Sequence, residues 1–127
     1  MTNKIVPGQV TPSLSLNTTE GNQWSLEANL KKAKTMIIFY RGLHCPVCCE
    51  FLNVIDNQLS DYKKSNTEVI AVSMDNKDRA LKSKNDWNIK NLNIAYGLTE
   101  EKAREWNLYI SKSIKEVEAD VFCEPGL

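Results

Sequence analysis

The near-continuous apolar run from Thr35 to Tyr40 hands over, a few residues later, to Cys45-Pro46-Val47-Cys48 and then to a long segment with helical periodicity. An apolar run of this kind predicts a strand over residues 35 to 40 buried on both faces, as in a parallel sheet, and it is expected to be the central strand. From Pro46 the apolar positions Val47, Phe51, Ile55, Leu59 and Tyr62 recur at helical spacing, so residues 46 to 63 are expected to form one helix. Pro46 suits its first turn, where the missing N–H has no helical partner to lose.

Two thiols three residues apart at a helix start share a face, close enough to be joined and broken reversibly, and the positive helix end favours thiolate over thiol. Cys45 and Cys48 therefore read as a redox pair. The bland alternative, two small core hydrophobes, fits their placement at a strand-to-helix junction less well. Cys45, Cys48 and Cys49 are clustered and Cys123 lies far away, whereas a stapling framework would spread its cysteines along the chain. Cys49 is turned about 100° from Cys48 around the helix and is expected to be packing.

The other elements continue an alternating α/β pattern. Leu14–Leu16 and Trp24–Leu26, separated by Glu20-Gly21-Asn22, predict a hairpin of two short strands. Residues 68 to 74 predict a second buried strand, followed by a helix with Ala80, Leu81, the stem of Lys84 and Trp87 inward. Leu92–Ala95 is a further strand, and Thr99 opens a helix carrying Ala103 and Trp106 inward. Asp75 and Thr99 are read as caps with no further role, and Ile114 and Val117 as the stripe of a solvated helical turn. Strand, helix, strand, helix implies parallel crossovers in a single domain over residues 1–127.

Sixteen Lys and Arg balance sixteen Asp and Glu, which argues against nucleic acid or an acidic membrane surface as partner. Met1–Val10 lacks an apolar stretch of signal-peptide length and no segment reaches membrane-spanning length, so a reducing cytoplasm is the expected setting.

In order, these features resemble the thioredoxin superfamily, and within it the peroxiredoxin-like branch of alkyl hydroperoxide reductases and thiol-specific antioxidants. The residues that carry the resemblance are Gly8-Gln9-Val10-Thr11-Pro12 with Leu14 and Leu16, Gly21–Leu26, Phe39–Cys48, Val69–Asp75 and Glu124–Leu127. The resemblance implies a thioredoxin-like fold with an N-terminal hairpin, a mostly parallel sheet and flanking helices. It also implies that the last two strands and closing helix lie beyond Leu127, leaving one apolar edge of the strand at 35 to 40 unpaired. The expectation is therefore either a fragment or an edge supplied by a partner, a homodimer being one such arrangement.

Peroxiredoxins carry Pro-x-x-x-Thr-x-x-Cys, whose cysteine attacks the peroxide. Cys48 falls at that cysteine, but Arg41 stands at the proline and Cys45 at the threonine. In the thioredoxin pattern the same segment is an intact Cys-x-x-Cys with His44 where tryptophan is common and Cys45 as nucleophile. Pro125 falls where that superfamily has a cis-proline facing the dithiol, a position at which peroxiredoxins often have arginine.

Around the pair, His44 is a candidate to stabilise a thiolate or move a proton, or is simply the residue that leads into the helix. Arg41 would favour an anion by charge, or be a solvated surface residue, and Cys123 is a candidate resolving or metal-binding thiol or an incidental loop cysteine.

The leading expectation is an antioxidant enzyme reducing hydroperoxides through Cys45 and Cys48, without metal or organic cofactor, and reset by an external dithiol such as a thioredoxin- or glutaredoxin-type protein. The runner-up is a thiol-disulfide oxidoreductase acting on protein disulfides. A metal-binding module using His44, Cys45, Cys48 and Cys49 or Cys123, and an inactive fragment, complete the alternatives.

Overall fold

The computed structural model describes residues 6–30, 34–113 and 121–127. The apolar run forms β3 (Lys34–Phe39), which pairs in parallel with β4 (Thr67–Val72), Met36 opposite Val69 and Ile38 opposite Ala71. On its other side β4 pairs in parallel with β5 (Asn93–Tyr96), and β5 pairs antiparallel with β1 (Ser15–Thr18). The hairpin partner β2 (Gln23–Ser25) completes a sheet ordered β2-β1-β5-β4-β3. The expected turn is present: Thr18 N–H donates to Asn22 O at 2.8 Å and Gly21 takes a φ of +86°, which favours glycine.

The central position therefore belongs to β5 rather than to β3, contrary to the expected central strand, while β3 lies at the edge, in line with the unpaired edge that the resemblance implies. The reason is physical. Ile38 packs into the core on one face of the sheet, while Ile37 and Phe39 pack into the core on the other. Apolarity on both sides of a strand reports that both faces are covered, not that both edges are paired. Among the described residues the outer edge of β3 carries a single bridge near its end, where Phe39 N–H donates to Gly126 O at 2.8 Å and Gly126 N–H donates to Phe39 O at 3.0 Å.

The long helix is divided into α2 (Pro46–Asn57) and α3 (Leu59–Lys64) at Gln58, rather than running unbroken to residue 63. The division coincides with Asp56, a buried carboxylate that takes the N–H groups of Lys90, Asn91 and Leu92 at 3.0, 2.8 and 2.7 Å and ties the end of α2 to the loop before β5.

The inward stripe of α2 is Cys48, Leu52 and Ile55, continued by Leu59 and Tyr62. Val47 and Phe51, expected inside, are 72% and 46% exposed and form an outer stripe with Val54. The two stripes are offset by one residue, about 100° of rotation. The sequence reading joined the upper half of one to the lower half of the other.

The remaining helices are short: α1 (Leu26–Leu30), α4 (Lys77–Asp86) and α5 (Glu100–Glu105). Ala80 of α4 is buried as expected, Leu81 is half-buried and Trp87 meets Tyr40 edge-on with ring centroids 6.0 Å apart. Thr99 caps α5, its hydroxyl accepting the Lys102 N–H at 3.1 Å. Beyond α5, β6 (Ile110–Lys112) and β7 (Val121–Cys123) form an antiparallel pair that the sequence reading did not anticipate. The helical turn expected around Ile114 and Val117 lies outside the described residues.

Candidate active site

Between β3 and α2 the chain makes a tight loop whose shape is set by its glycine. Gly42 has φ +130°, and a Cβ there would lie 2.7 Å from both carboxylate oxygens of Asp75. The same carboxylate accepts the Leu43 N–H at 2.9 Å. Gly42 O in turn accepts the Cys45 N–H at 3.1 Å, which delivers Cys45 to the N-cap of α2 with extended backbone angles.

Cys45 Sγ occupies the capping position usually taken by a serine or aspartate oxygen and accepts the Cys48 N–H at 3.2 Å. A negative sulfur at this point faces the positive end of a helix of 12 residues as well as the donated N–H. Both thiols are free and buried, Cys45 5% and Cys48 6% exposed. Burial, with the hydrogen bond to Cys45 next, pushes the Cys48 thiol up to about 12, against the opposing pull of the Arg41 main-chain N–H.

Of the other candidates, Arg41 lies within electrostatic reach of both sulfurs. Arg41 turns its guanidinium onto Glu124, with Nε 2.8 Å and Nη2 2.7 Å from the two carboxylate oxygens, a two-pronged pair that ties the start of the loop to the residue after β7. His44 sits edge-on to Phe122 of β7, ring centroids 4.5 Å apart.

Cys123 is fully buried, its thiol pushed up to about 12 by burial and donating to the Tyr40 carbonyl at 3.4 Å, which suits packing rather than a resolving or metal-binding thiol. Cys49 is half-buried and also raised by burial, with Asn53 bonded to its carbonyl at 2.9 Å. Pro125 is exposed, and no peptide bond among the described residues is cis, so the expected cis-proline is not found. No group of three or more His, Cys, Asp or Glu among the described residues is placed to hold a metal ion.

Two residues were missed. Glu124, the partner of Arg41, gave no signal. Asp75 was read as a cap, but Asn76 caps α4, its side chain accepting the Arg79 N–H at 2.9 Å. The available signal was the doublet itself, since only one of two consecutive capping residues can cap a given helix. The spare one stood at the C-terminal end of a parallel strand, where α/β sheets place their sites.

A match to the AhpC/TSA family spans residues 7–126. The chain belongs to this family. Among solved structures it is similar to the peroxidoxin BcpB from Mycobacterium tuberculosis, with a TM-score of 0.73 and 12% identity over 93% of this chain and 77% of that one. A reduced 2-Cys peroxiredoxin from Plasmodium vivax gives a TM-score of 0.72 and 19% identity over 80% of this chain and 58% of that one. A thiol peroxidase from Chromobacterium violaceum gives 0.68 and 12% identity over 98% and 69%.

No match was found among curated protein sequences. At these identities the structures establish the fold, an AhpC/TSA domain of thioredoxin-like architecture, and family and fold together are those of peroxidase oxidoreductases. The chain spans 58% of the Plasmodium vivax peroxiredoxin. No helix among the described residues is long and apolar enough to cross a membrane.

Proposed function

We propose that this AhpC/TSA domain reduces hydroperoxides through Cys45 and Cys48, with Cys45 as the attacking sulfur. The observation that carries the assignment is the donation of the Cys48 N–H to Cys45 Sγ at the N-terminus of α2. Thiolate, not thiol, is the nucleophile. The Cys45 thiolate attacks the terminal oxygen of the hydroperoxide, the O–O bond breaks, and the leaving alkoxide takes a proton to become an alcohol, or water from hydrogen peroxide. The resulting sulfenic acid at Cys45 is then attacked by Cys48 sulfur, a disulfide forms and water leaves. An external dithiol of thioredoxin or glutaredoxin type would return both residues to thiols by disulfide exchange.

The intact Cys-x-x-Cys also supports a second reading, reduction of protein disulfides. The family match over residues 7–126 supports the first.

Consumption of hydrogen peroxide coupled to dithiothreitol, run beside an insulin-reduction assay, separates the two readings. Peroxide loss without insulin reduction is the expected result, and the reverse would replace the first reading with the second. Trapping of sulfenic acid in Cys48→Ser but not in Cys45→Ser identifies Cys45 as the attacking residue, and trapping in Cys45→Ser alone would exchange the two roles.

A further inference from the structure

We infer that Asp75 is a positioning residue for Cys45, acting through the Gly42–Leu43 loop. The inference rests on the reading of Cys45 as the attacking sulfur. Asp75 lies at the end of β4, its side chain fully buried, and it makes three contacts that leave it no freedom to move. Its Oδ2 accepts the Leu43 N–H at 2.9 Å, its Oδ1 accepts Arg79 Nε at 3.1 Å, and both oxygens fill the space that a side chain at Gly42 would occupy. Its own backbone is fixed as well, by N–H donation to Ser73 Oγ at 3.2 Å and by the Gly97 N–H donating to its carbonyl at 2.8 Å.

From this fixed point a short series of bonds reaches the sulfur. Asp75 holds Leu43 N–H, and the peptide so oriented points the Gly42 carbonyl at the Cys45 N–H, 3.1 Å away. Cys45, held there, places its Sγ under the Cys48 N–H. A buried carboxylate that loses the N–H it accepts, or an N–H that loses its acceptor, is costly to leave unpaired, so the loop and the carboxylate keep each other in register. Displacement of a reacting group by about 1 Å costs up to about 100-fold in rate, which sets the effect expected when this register is lost.

The test is the rate at which iodoacetamide alkylates Cys45 in the intact, reduced protein at neutral pH, read by mass spectrometry of the Cys45 peptide. Asp75→Leu, which fills the volume without an acceptor, is expected to slow it by about 10- to 100-fold. Asp75→Asn retains an amide oxygen for Leu43 N–H while Arg79, already 29% exposed, turns to water, and is expected to restore the rate to within about 5-fold of the starting protein. Asp56→Asn, which weakens the other carboxylate-to-loop connection, is expected to alkylate as the starting protein does. A merely structural role for Asp75 would slow Leu and Asn variants alike.

Equal rates in Asp75→Leu and the starting protein, or equal slowing by Leu and Asn, overturns the inference. Where Asp75→Leu does not fold, Gly42→Ala carries the test, since its added carbon pushes the loop off an intact Asp75. An unchanged Cys45 rate in Gly42→Ala overturns the inference, and a fall of about 10-fold or more supports it. If Cys45 responds as stated yet the starting protein consumes no hydroperoxide, the positioning role stands and the proposed function fails.

Discussion

The two ends of α2 are held by the same chemistry and differ in what hangs on it. At the C-terminal end Asp56 is on the helix and gathers three N–H groups from the loop before β5. At the N-terminal end Asp75 is off the helix, in the loop between β4 and α4, and takes one N–H from the loop that leads into the helix, with an arginine on its other oxygen. The first arrangement is richer in bonds and serves only the fold. The second has fewer bonds, and at the end of them lies the sulfur proposed to react.

The sharpest way to break this comparison is at the sulfur. Cys45→Ser is expected to abolish dithiol-dependent peroxide consumption, and Cys48→Ser treated with one equivalent of peroxide in the absence of reductant to hold a sulfenic acid at Cys45 in place of the Cys45–Cys48 disulfide, read by peroxide assay and mass spectrometry respectively. If Cys45→Ser turns over normally, the N-terminal end loses its special status.

Next in size, Asp56→Ala should destabilise the fold by about 3 kcal/mol, because three N–H groups, that of Leu92 buried, lose a charged acceptor. Urea unfolding measures this, and Cys45 alkylation per folded molecule should not change. Leu52→Ala, which empties a fully buried position on the inward stripe, should cost about 2–5 kcal/mol, and Val47→Ala on the outer stripe under about 0.5 kcal/mol.

The pH dependence sharpens the same contrast. Burial alone would raise the pKa of Asp56, but the N–H groups of Lys90, Asn91 and Leu92 outweigh it and hold the carboxyl below the usual 3.8. A depressed folded-state value means that Asp56 stabilises the protein fully above the unfolded value and that this contribution is lost as pH falls through the folded one. The difference in urea midpoint between the starting protein and Asp56→Asn should therefore shrink on acidification below about pH 4, and a constant gap would contradict the assignment.

The smallest effect is expected at Arg41 and Glu124. With Arg41 43% exposed, solvent screens the pair, and Glu124→Gln should cost no more than about 1 kcal/mol in urea unfolding.

How much of this was legible in the sequence depends on the scale of the signal. The alternation of strands and helices, the hairpin turn at Gly21 and the capping by Thr99 all came from local patterns that act within a few residues. The Cys-x-x-Cys at a strand-to-helix junction was likewise local, and the structure puts Cys45 at the cap and Cys48 beneath it. Features set by distant segments did not show. The central place of β5 rather than β3 depends on which strands come to lie beside each, and the phase of α2 on which of its faces the core residues of other elements cover. Asp75 and Glu124 act across 32 and 83 residues of chain, and no periodicity carries that information.

The sulfur at the head of α2 does two jobs at once, since the atom expected to change its chemistry is also the atom that closes the first turn. Losing an N-cap acceptor costs about 1 kcal/mol, so oxidising or alkylating Cys45 must alter how firmly that turn is wound. The melting temperature of the domain should therefore follow the oxidation state of that sulfur.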